Sequence, residues 1–255
     1  MMMSSGALFD LTGKRALVTG SAEGIGFAIA KQFVAHGCDV VVHDKVDVAK
    51  CKQACTELQG LAGGEVTFAV ANFENPYSVE GLADTVSGID MLILNASMQL
   101  RQDVLSISRD EFDRHVNTNF WSTLRLVQYF LPAMVEKRWG RIVTIGSVQE
   151  TKPHPQMAVY AALKAAVSNL VINLASQFGK DGVTVNNIAP GVVETARNQE
   201  ALADAQYADQ VRQKIPLGYF GQPDDYSGIA LLLCSEAGRY ITGQTIYCDG
   251  GLAVR

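Results

Sequence analysis

Short, nearly continuous apolar runs recur along the chain, and between them apolar residues repeat at helical spacing. Runs that do not alternate with polar residues are typical of strands covered by helices on both faces. The pattern therefore predicts an α/β fold of three layers, in which a doubly wound, mostly parallel, seven-stranded sheet has helices on both faces. The seven predicted strands are Arg15–Thr19, Asp39–His43, Glu65–Val70, Asp90–Leu94, Arg141–Ile145, Val183–Ile188 and Gln244–Cys248.

The first helices are predicted from the residues at their ends. Gly37 stands where a left-handed residue would close the helix that follows the first strand. Ser108 and Glu111 have capping-box spacing, and they start a helix that runs toward Lys137. Pro132 lies inside this helix and is expected to bend its last turns.

Two more helices complete the alternation of strands and helices. One is predicted over Ala158–Phe178 and is closed by Gly179. The last is predicted from Pro223 through Ser235, because proline and acidic residues favour a first helical turn. No internal repeat, low-complexity tract or flexible linker interrupts the sequence, so residues 1–255 are predicted to form a single domain.

Composition narrows the range of partners. The 255 residues include 21 Lys and Arg against 26 Asp and Glu, a formal net charge of −5, so no basic face for nucleic acid is expected. No uninterrupted apolar run approaches the ~20 residues of a membrane helix, and the opening MMMSSGALFD has no export-signal pattern. Five scattered cysteines and four dispersed histidines favour reduced thiols and no metal site. A soluble, cytoplasmic protein without nucleic-acid or membrane partners is expected.

A glycine-rich turn, Thr19-Gly20-Ser21-Ala22-Glu23-Gly24-Ile25-Gly26, follows the first strand and leads into a helix. Gly20 permits the tight turn, Gly24 lets backbone approach a pyrophosphate, and Gly26 lets the helix pack close to the sheet. Free N–H groups at the start of the helix attract the anion. The segment predicts a dinucleotide site in a Rossmann-like domain, with a plain structural turn as the alternative. The predicted cofactor contacts here are Gly20, Ser21, Glu23, Gly24, Ile25 and Gly26.

Asp44 closes the second predicted strand, where a carboxylate can accept hydrogen bonds from the adenosine ribose hydroxyls. A 2′-phosphate would be repelled there by Asp44 and by Glu23, at about 4 kcal/mol for one like-charge pair ~4 Å apart with an effective dielectric of ~20. The two acids therefore predict NAD rather than NADP. Lys45 argues the other way, because its ammonium could reach a phosphate, and a solvated turn acid is the alternative role of Asp44.

Tyr160 and Lys164 are four residues apart on a predicted helix, so both side chains project from one face. A free phenol titrates near 10, but an adjacent ammonium and the positive nicotinamide ring of an oxidised cofactor both favour the phenolate. Tyr160 can then remove the hydroxyl proton of an alcohol while hydride leaves its carbon, or return that proton in ketone reduction.

The spacing G-x-x-x-G-x-G resembles that of the short-chain dehydrogenase/reductase family. Further segments agree with that family in order and spacing: Asn95-Ala96, Ser147, Tyr160 to Lys164, Pro190 to Thr195, and the ending Ile241 to Gly251. The resemblance covers essentially the whole chain. It implies an NAD(P)-dependent oxidoreductase that acts on CH–OH groups and forms a homodimer or homotetramer.

The resemblance also implies roles for single residues. Ser147 would donate a hydrogen bond to the substrate oxygen. Asn119, in preference to Asn117, would hold a water relay to Lys164. Thr195 would contact the nicotinamide carboxamide. The alternatives are a turn serine that satisfies backbone, a polar residue in a helix bend, and a helix N-cap. Cofactor contacts implied in the same way are Asn72, Asn95, Ala96, Tyr160, Lys164, Pro190 and Val193.

The substrate surface is expected after Ser147, after Ser97 and over about 192–216, because ligands lie beyond the carboxyl ends of such strands. Gln149 and Arg197 are candidate substrate contacts there, with Ser147 and Tyr160. Their polar character favours a polyol, a sugar or a related small polar alcohol. Two other functions remain open: an NADP-dependent reductase of a 3-oxoacyl thioester or other ketone, and a dinucleotide-binding sensor without turnover.

Overall fold

Seven parallel strands form one sheet in the computed structural model, which describes residues 8–61 and 63–254. All seven predicted strands are confirmed, with ends that differ by one or two residues. The first seven residues of the opening segment, in which no export signal is predicted, lie outside the described residues. The strands are β1 (Arg15–Val18), β2 (Asp39–Asp44), β3 (Val66–Val70), β4 (Met91–Leu94), β5 (Gly140–Ile145), β6 (Val183–Pro190) and β7 (Thr245–Cys248).

The strand order within the sheet is β3-β2-β1-β4-β5-β6-β7, and each neighbouring pair is parallel. The chain therefore crosses from one edge of the sheet to its middle between β3 and β4, and the winding direction reverses between β1 and β4. Loops diverge at such a point, and the crevice at the carboxyl ends of the strands is where doubly wound sheets bind ligands. The predicted fold class is confirmed.

Nine α-helices connect the strands within the described part of the chain. They are α1 (Gly24–Ala35), α2 (Val48–Gln59), α3 (Ser78–Thr85), α4 (Arg109–Val116), α5 (Ser122–Lys137), α6 (Ala158–Phe178), α7 (Ala196–Ala203), α8 (Ala205–Arg212) and α9 (Ser227–Cys234).

Adjacent residues of β1 enter two different cores. Val18 packs in the core that contains Phe33 of α1, whereas Leu17 packs in the core that contains Leu126 of α5 and Val171 of α6. All five side chains are essentially inaccessible to solvent. Helices cover both faces of the sheet, which explains why every residue of β1 after Arg15 is apolar.

The helix predicted from Ser108 to Lys137 is continuous but irregular. Its capping box at Ser108 is confirmed, and its end at Lys137 is also confirmed. The irregularity is a π-helical turn at Asn117–Trp121, whereas the residues around Pro132 remain α-helical. The π turn lies well before Pro132, and a bend of the last helical turns at Pro132 remains a prediction.

Two helix ends have details that the sequence does not predict. The helix α6 spans the predicted residues and is closed by Gly179 as predicted; Gly179 has right-handed dihedral angles, and a left-handed glycine, Gly182, follows with a φ of +82° after a short 3₁₀ turn. The helix predicted from Pro223 begins as a 3₁₀ turn over Pro223–Tyr226 before α9. Gly37 has the expected left-handed conformation, with a φ of +86°.

One helical stretch, Pro155–Asp181, is long and apolar enough to span a membrane by length and composition alone, with a mean hydropathy of 1.5. It packs its buried face against β6 and belongs to the core of the sheet. Core helices of soluble proteins pass the same test of length and composition.

Candidate active site

A cavity of about 540 Å³ lies at the carboxyl ends of β1, β2, β4, β5 and β6, across the point where the winding reverses. Its lining comes from segments that are distant in sequence, from the glycine turn to helix α7. The predicted site residues that line it are Gly20, Glu23, Gly24, Ile25, Asp44, Asn72, Asn95, Ala96, Ser147, Tyr160, Lys164, Pro190, Val193, Thr195 and Arg197.

The turn after β1 depends on its glycines. Gly20 and Gly24 have φ angles of +63° and +61°, which favour glycine because a Cβ atom is strained there. A Cβ at Gly26 would overlap the carbonyl oxygen of Gly20 and lie 2.7 Å from Nδ2 of Asn95. These restrictions place the N-terminus of α1 at the cavity, where unpaired N–H groups favour an anion.

Two predicted cofactor contacts, Ser21 and Gly26, do not line the cavity and instead support the turn from behind. Ser21 is fully buried, donates its hydroxyl to the Val18 carbonyl at 2.6 Å and accepts the backbone N–H of His43 at 3.1 Å. Asn95 does line the cavity, but its amide donates to the carbonyl oxygens of Thr19 and Gly20, at 2.9 and 2.8 Å. Asn95 therefore also fixes the shape of the turn.

His43 is a site residue that the sequence analysis missed. Its Nδ1 accepts the N–H of Gly20 at 3.0 Å, its Nε2 lies 3.1 Å from the Ala71 carbonyl, and its ring stacks on Phe73. Burial lowers the pKa of His43 to about 4, so the ring is neutral and can accept from Gly20. A polar residue in an apolar strand was the signal that could have indicated this role.

Acidic and basic side chains form ion pairs in the part of the cavity next to the carboxyl end of β2. Lys50 of α2 pairs with Glu23 at 2.6 Å, so the ammonium balances the charge expected to repel a phosphate. Lys45, expected to swing toward a phosphate, lies 3.7 Å from Glu74. Burial raises the pKa of the Asp44 carboxyl, but the N–H groups of the turn that follows it outweigh burial and lower it overall. Asp44 is therefore an ionised acceptor beside the cavity.

The Tyr160–Lys164 pair lies on the inner face of α6, and both side chains are buried. The Nζ atom of Lys164 is 5.7 Å from the centroid of the Tyr160 ring and donates to the Ile145 carbonyl at 2.6 Å. Ser147 follows the same strand end, and its hydroxyl lowers the pKa of the Tyr160 phenol. The predicted i, i+4 geometry thus brings a phenol, an ammonium and a hydroxyl to one cavity wall.

The charge environment of Tyr160 differs from the expected one. Burial raises the pKa of the phenol, and the main opposing influence is the guanidinium of Arg197, followed by the hydrogen bond from Ser147. Burial and then Arg197 lower the pKa of Lys164 to about 7. Lys164 was expected to be the cation that favours the phenolate, but its ammonium is turned to the Ile145 carbonyl.

Asn119 is buried in the π turn and does not line the cavity. Its side-chain amide donates to the Met98 carbonyl at 2.9 Å and accepts the Met98 N–H at 3.1 Å. Asn117 donates to the Glu74 carbonyl at 3.0 Å. Both asparagines are therefore held by backbone groups, and Asn119 ties α4 and α5 to the loop after β4; its water relay remains a prediction.

Thr195 and Arg197 lie at the start of α7. Thr195 occupies the N-cap position but makes no side-chain capping hydrogen bond. Arg197 reaches across the cavity to the loop after β4, where it donates to the hydroxyl and the carbonyl oxygen of Ser97 at 2.8 and 2.9 Å. Gln149 accepts the N–H of His154 through its side chain, and its contact with substrate remains a prediction.

Comparison with known proteins gives consistent matches over the whole chain. A family model described as enoyl-(acyl carrier protein) reductase matches residues 20–253. The gluconate 5-dehydrogenase of Gluconobacter oxydans is 33% identical over 254 residues, which are 99% of each chain. A 3-oxoacyl (acyl-carrier-protein) reductase of Agrobacterium tumefaciens, solved with NADP, has a TM-score of 0.92 at 33% identity and 97% coverage of both chains. A gluconate 5-dehydrogenase of Burkholderia cenocepacia, solved with NADP and tartrate, has a TM-score of 0.91 at 30% identity, covering 99% and 100% of the two chains.

Proposed function

The chain belongs to the short-chain dehydrogenase/reductase family, and from that membership we propose that it oxidises a small polyhydroxylated alcohol or sugar acid with NAD. It is an oxidoreductase that transfers hydride between a nicotinamide dinucleotide and a secondary alcohol or ketone. This activity argues against a dinucleotide sensor without turnover. The observation that carries the proposal is the meeting of the glycine turn, Asp44 and the Tyr160–Lys164 pair in one cavity.

The residues present fit a nicotinamide dinucleotide. The cavity volume is within the range of ~300–1,000 Å³ that is usual for cofactor sites. A Cβ built on Gly24 would be in van der Waals contact with the methyl group of Thr195 at 3.7 Å, so the glycine turn and the start of α7 approach each other closely on two sides of the cavity. We assign the adenosine ribose to Asp44 and the nicotinamide to Val193 and Thr195. When bound, the dinucleotide accepts or supplies the hydride.

NAD is proposed as the preferred cofactor because Asp44 is ionised at the end of β2, where it accepts ribose hydroxyls and repels a 2′-phosphate. Glu23 adds less repulsion than expected, since Lys50 neutralises it. The structural relatives solved with NADP show that the family scaffold also accepts the phosphate. The preference in this chain therefore depends on Asp44.

Three side chains carry the proposed chemistry. The Tyr160 oxygen takes the hydroxyl proton of the alcohol, or returns it to the ketone oxygen. Ser147 donates a hydrogen bond to the same substrate oxygen and stabilises the charge that develops there. The ammonium of Lys164 lies behind the phenol and favours its ionised form once it turns from the Ile145 carbonyl.

Arg197 supports a polar and acidic substrate. Its guanidinium faces the Tyr160 hydroxyl and lies at the cavity mouth, where it contacts only uncharged groups of Ser97 among its described hydrogen bonds. A guanidinium binds a carboxylate in a bidentate manner. Gluconate, named for one relative, and tartrate, named in the structure of another, are both hydroxy acids.

The second candidate function is NADP-dependent reduction of a 3-oxoacyl thioester. It is favoured by the similarity to 3-oxoacyl (acyl-carrier-protein) reductases and by the NADP in the structure of one of them. Lys45 and Lys50 are the cations that would receive the 2′-phosphate, but both pair with glutamates in this structure.

A substrate panel tests the proposed function. Sugar acids, polyols, neutral sugars and simple secondary alcohols are supplied with NAD or NADP, and a 3-oxoacyl thioester and simple ketones with NADH or NADPH. The absorbance of the reduced cofactor is followed. We expect the highest kcat/KM for a sugar acid with NAD. The Arg197→Met variant serves as a matched comparison, since it should lose about tenfold or more on the acid and much less on a neutral polyol.

The outcome of the panel distinguishes the two candidate functions. Faster reduction of a 3-oxoacyl thioester with NADPH would favour the second candidate. Absence of turnover with every alcohol and ketone would contradict both functions.

A further inference from the structure

Glu150 is a carboxylate beside the candidate active site that the proposed reaction does not use. It lies three residues after Ser147, in the short 3₁₀ turn Val148–Glu150 that follows β5. Its Oε1 accepts the backbone N–H of Ser147 at 3.0 Å and the side-chain amide of Asn187 at 2.9 Å. The carboxylate is therefore attached directly to the strand end that presents Ser147.

A buried polar network holds this carboxylate in place. Asn187 of β6 is fully buried; its Oδ1 accepts the Thr144 hydroxyl at 2.7 Å, and its Nδ2 lies 3.3 Å from Oγ1 of Thr245. The Ser168 hydroxyl lies 3.5 Å from that of Thr245 and lowers the pKa of the Glu150 carboxyl. Because each member is fixed by others on different strands, the network sets the position of Glu150.

The network reaches the catalytic face of α6. Ser168 follows Lys164 by one helical turn, and Lys164 follows Tyr160 by one turn, so the three side chains form one stripe. Lys164 donates to the Ile145 carbonyl, and Glu150 Oε1 lies against the next residue, Gly146, so the two charged groups meet at this strand end. Glu150 raises the pKa of both Tyr160 and Lys164 through its charge. Arg197 faces the same stripe from α7 and lowers both.

The absence of a side chain at Gly146 leaves room for the Glu150 carboxylate. A Cβ at Gly146 would overlap Oε1 of Glu150 and lie 2.6 Å from Oδ1 of Asn187. Any residue with a side chain at position 146 would therefore displace the carboxylate from the N–H of Ser147. Glycine at this strand end is required by packing around Glu150, not by a left-handed backbone.

The hydrogen bonds indicate that Glu150 is ionised. Its described hydrogen-bond partners are the Ser147 N–H and the Asn187 amide, and both donate. A carboxyl group that only accepts hydrogen bonds is the charged form. Burial raises the pKa of Glu150 overall, and these donors and the Lys164 ammonium oppose part of that effect.

We propose that Glu150 is a positioning residue, which holds Ser147 at the end of β5 and supplies the negative counter-charge for Lys164. The inference rests on the proposed function, because Tyr160 and Lys164 form the proton-transfer site in it. The charged or titratable groups that act on this site are Glu150, Lys164, Tyr160 and Arg197. The charge of Glu150 opposes that of Arg197, which has the larger effect on both groups.

Removal of the Glu150 charge should shift the pKa values of Tyr160 and Lys164 in one direction. A negative charge favours the protonated forms of both Tyr160 and Lys164, so its removal lowers both pKa values. In alcohol oxidation, Tyr160 must lose its proton and Lys164 must keep its own. The acidic and alkaline limbs of kcat/KM against pH should therefore both move to lower pH, on the order of one pH unit.

The test compares three variants. Glu150→Gln removes the charge and keeps an acceptor for Ser147, Glu150→Asp keeps the charge, and Glu136→Gln removes one exposed charge from α5 as a control. We expect both limbs to shift in Glu150→Gln, to stay close to wild type in Glu150→Asp and to be unchanged in Glu136→Gln. A uniform loss of rate with unmoved limbs would show a merely structural role and contradict the proposal.

A second measurement needs no substrate. Ultraviolet titration with bound NAD, taken as the difference between each protein and its Tyr160→Phe counterpart, reports ionisation of the Tyr160 phenol. The midpoint should be lower in the Glu150→Gln background; an unchanged midpoint would overturn the inference. Absence of turnover with all alcohols would contradict the proposed function instead, and the titration would still decide the role of Glu150.

Discussion

At the scale of single residues, ionisation of the Tyr160 hydroxyl is governed by burial and by charges on two other elements. Arg197 of α7 lowers the pKa of the phenol, whereas Glu150, in the turn after β5, raises it. Burial alone would keep the phenol protonated at neutral pH. A positive charge that approaches the phenol, from Lys164 or from an oxidised nicotinamide ring, is therefore needed for its ionisation.

Cofactor choice is also decided by single residues. Asp44→Ala should weaken NAD use by roughly 10- to 100-fold, because a hydrogen bond to a charged acceptor is worth ~1.5–3 kcal/mol, and NADP use should improve. Glu23→Gln should change the ratio much less, since Lys50 already balances Glu23. Steady-state kinetics with both cofactors measure the ratio. Undiminished NAD use in Asp44→Ala would refute the assignment of Asp44 to the ribose.

The buried His43, which accepts the N–H of Gly20, should make the unfolding free energy depend on pH in the acidic range. Its pKa is lowered to about 4 by burial, against an ordinary value of 6.5, so the unfolded chain binds a proton more tightly than the folded one. Its contribution is present above pH 6.5 and is lost as the pH falls toward 4, by about 2 kcal/mol at pH 5. In His43→Gln, the fall in unfolding free energy between pH 7 and pH 5, measured with urea, should be smaller by about that amount. An identical fall in both proteins would contradict this role.

At the scale of elements, a substitution in the turn between β1 and α1 tests whether close packing of that turn forms the cofactor site. Gly26→Ala would push a methyl group into the Gly20 carbonyl and Asn95, so overpacking should cost ~1–3 kcal/mol of unfolding free energy and weaken cofactor binding. Gly81→Ala is the matched control, because Gly81 lies in α3 with open space around it and should gain about 1 kcal/mol. Thermal unfolding and cofactor titration of both variants measure the effects. Wild-type cofactor affinity in Gly26→Ala would contradict the close-packing role.

The elements themselves were predictable, but several of their contacts were not. Apolar runs mark all seven strands, and the spacing of Tyr160 and Lys164 places both on one helical face. His43 was missed because it lies inside an apolar run, where only the loop folded against it reveals its partner. Glu150 was missed because it follows a strand in a polar segment, while Asn187 is brought to it by sheet pairing. The π turn depends on hydrogen-bond register, which the hydrophobic pattern does not encode.

At the scale of the whole molecule, apolar side chains remain exposed along the two longest helices and the segment before them. The exposed fractions are 36% for Trp121, 42% for Tyr129 and 55% for Ile172, and Phe112 of α4 is also exposed. The apolar helix α6 buries one face in the core and leaves Ile172 outside. Such a surface is typical of contact between identical subunits.

We therefore expect a homodimer or homotetramer, which sedimentation velocity would detect as twice or four times the mass of one chain. Ile172→Arg should shift the distribution toward monomer, because it places a charge in the apolar surface. Val48→Arg, an exposed apolar position on α2, is the control and should leave the distribution unchanged. Wild-type protein that sediments only as monomer would contradict this expectation.

The central claim is that the Tyr160 phenol moves the substrate proton beside a nicotinamide held by the glycine turn. The most direct measurement is kcat/KM of Tyr160→Phe together with its dissociation constant for NADH, determined by fluorescence titration. General acid–base catalysis contributes ~100- to 10,000-fold, so we predict a loss of turnover in that range with cofactor affinity close to wild type. Turnover that survives the loss of the phenolic oxygen would contradict the account.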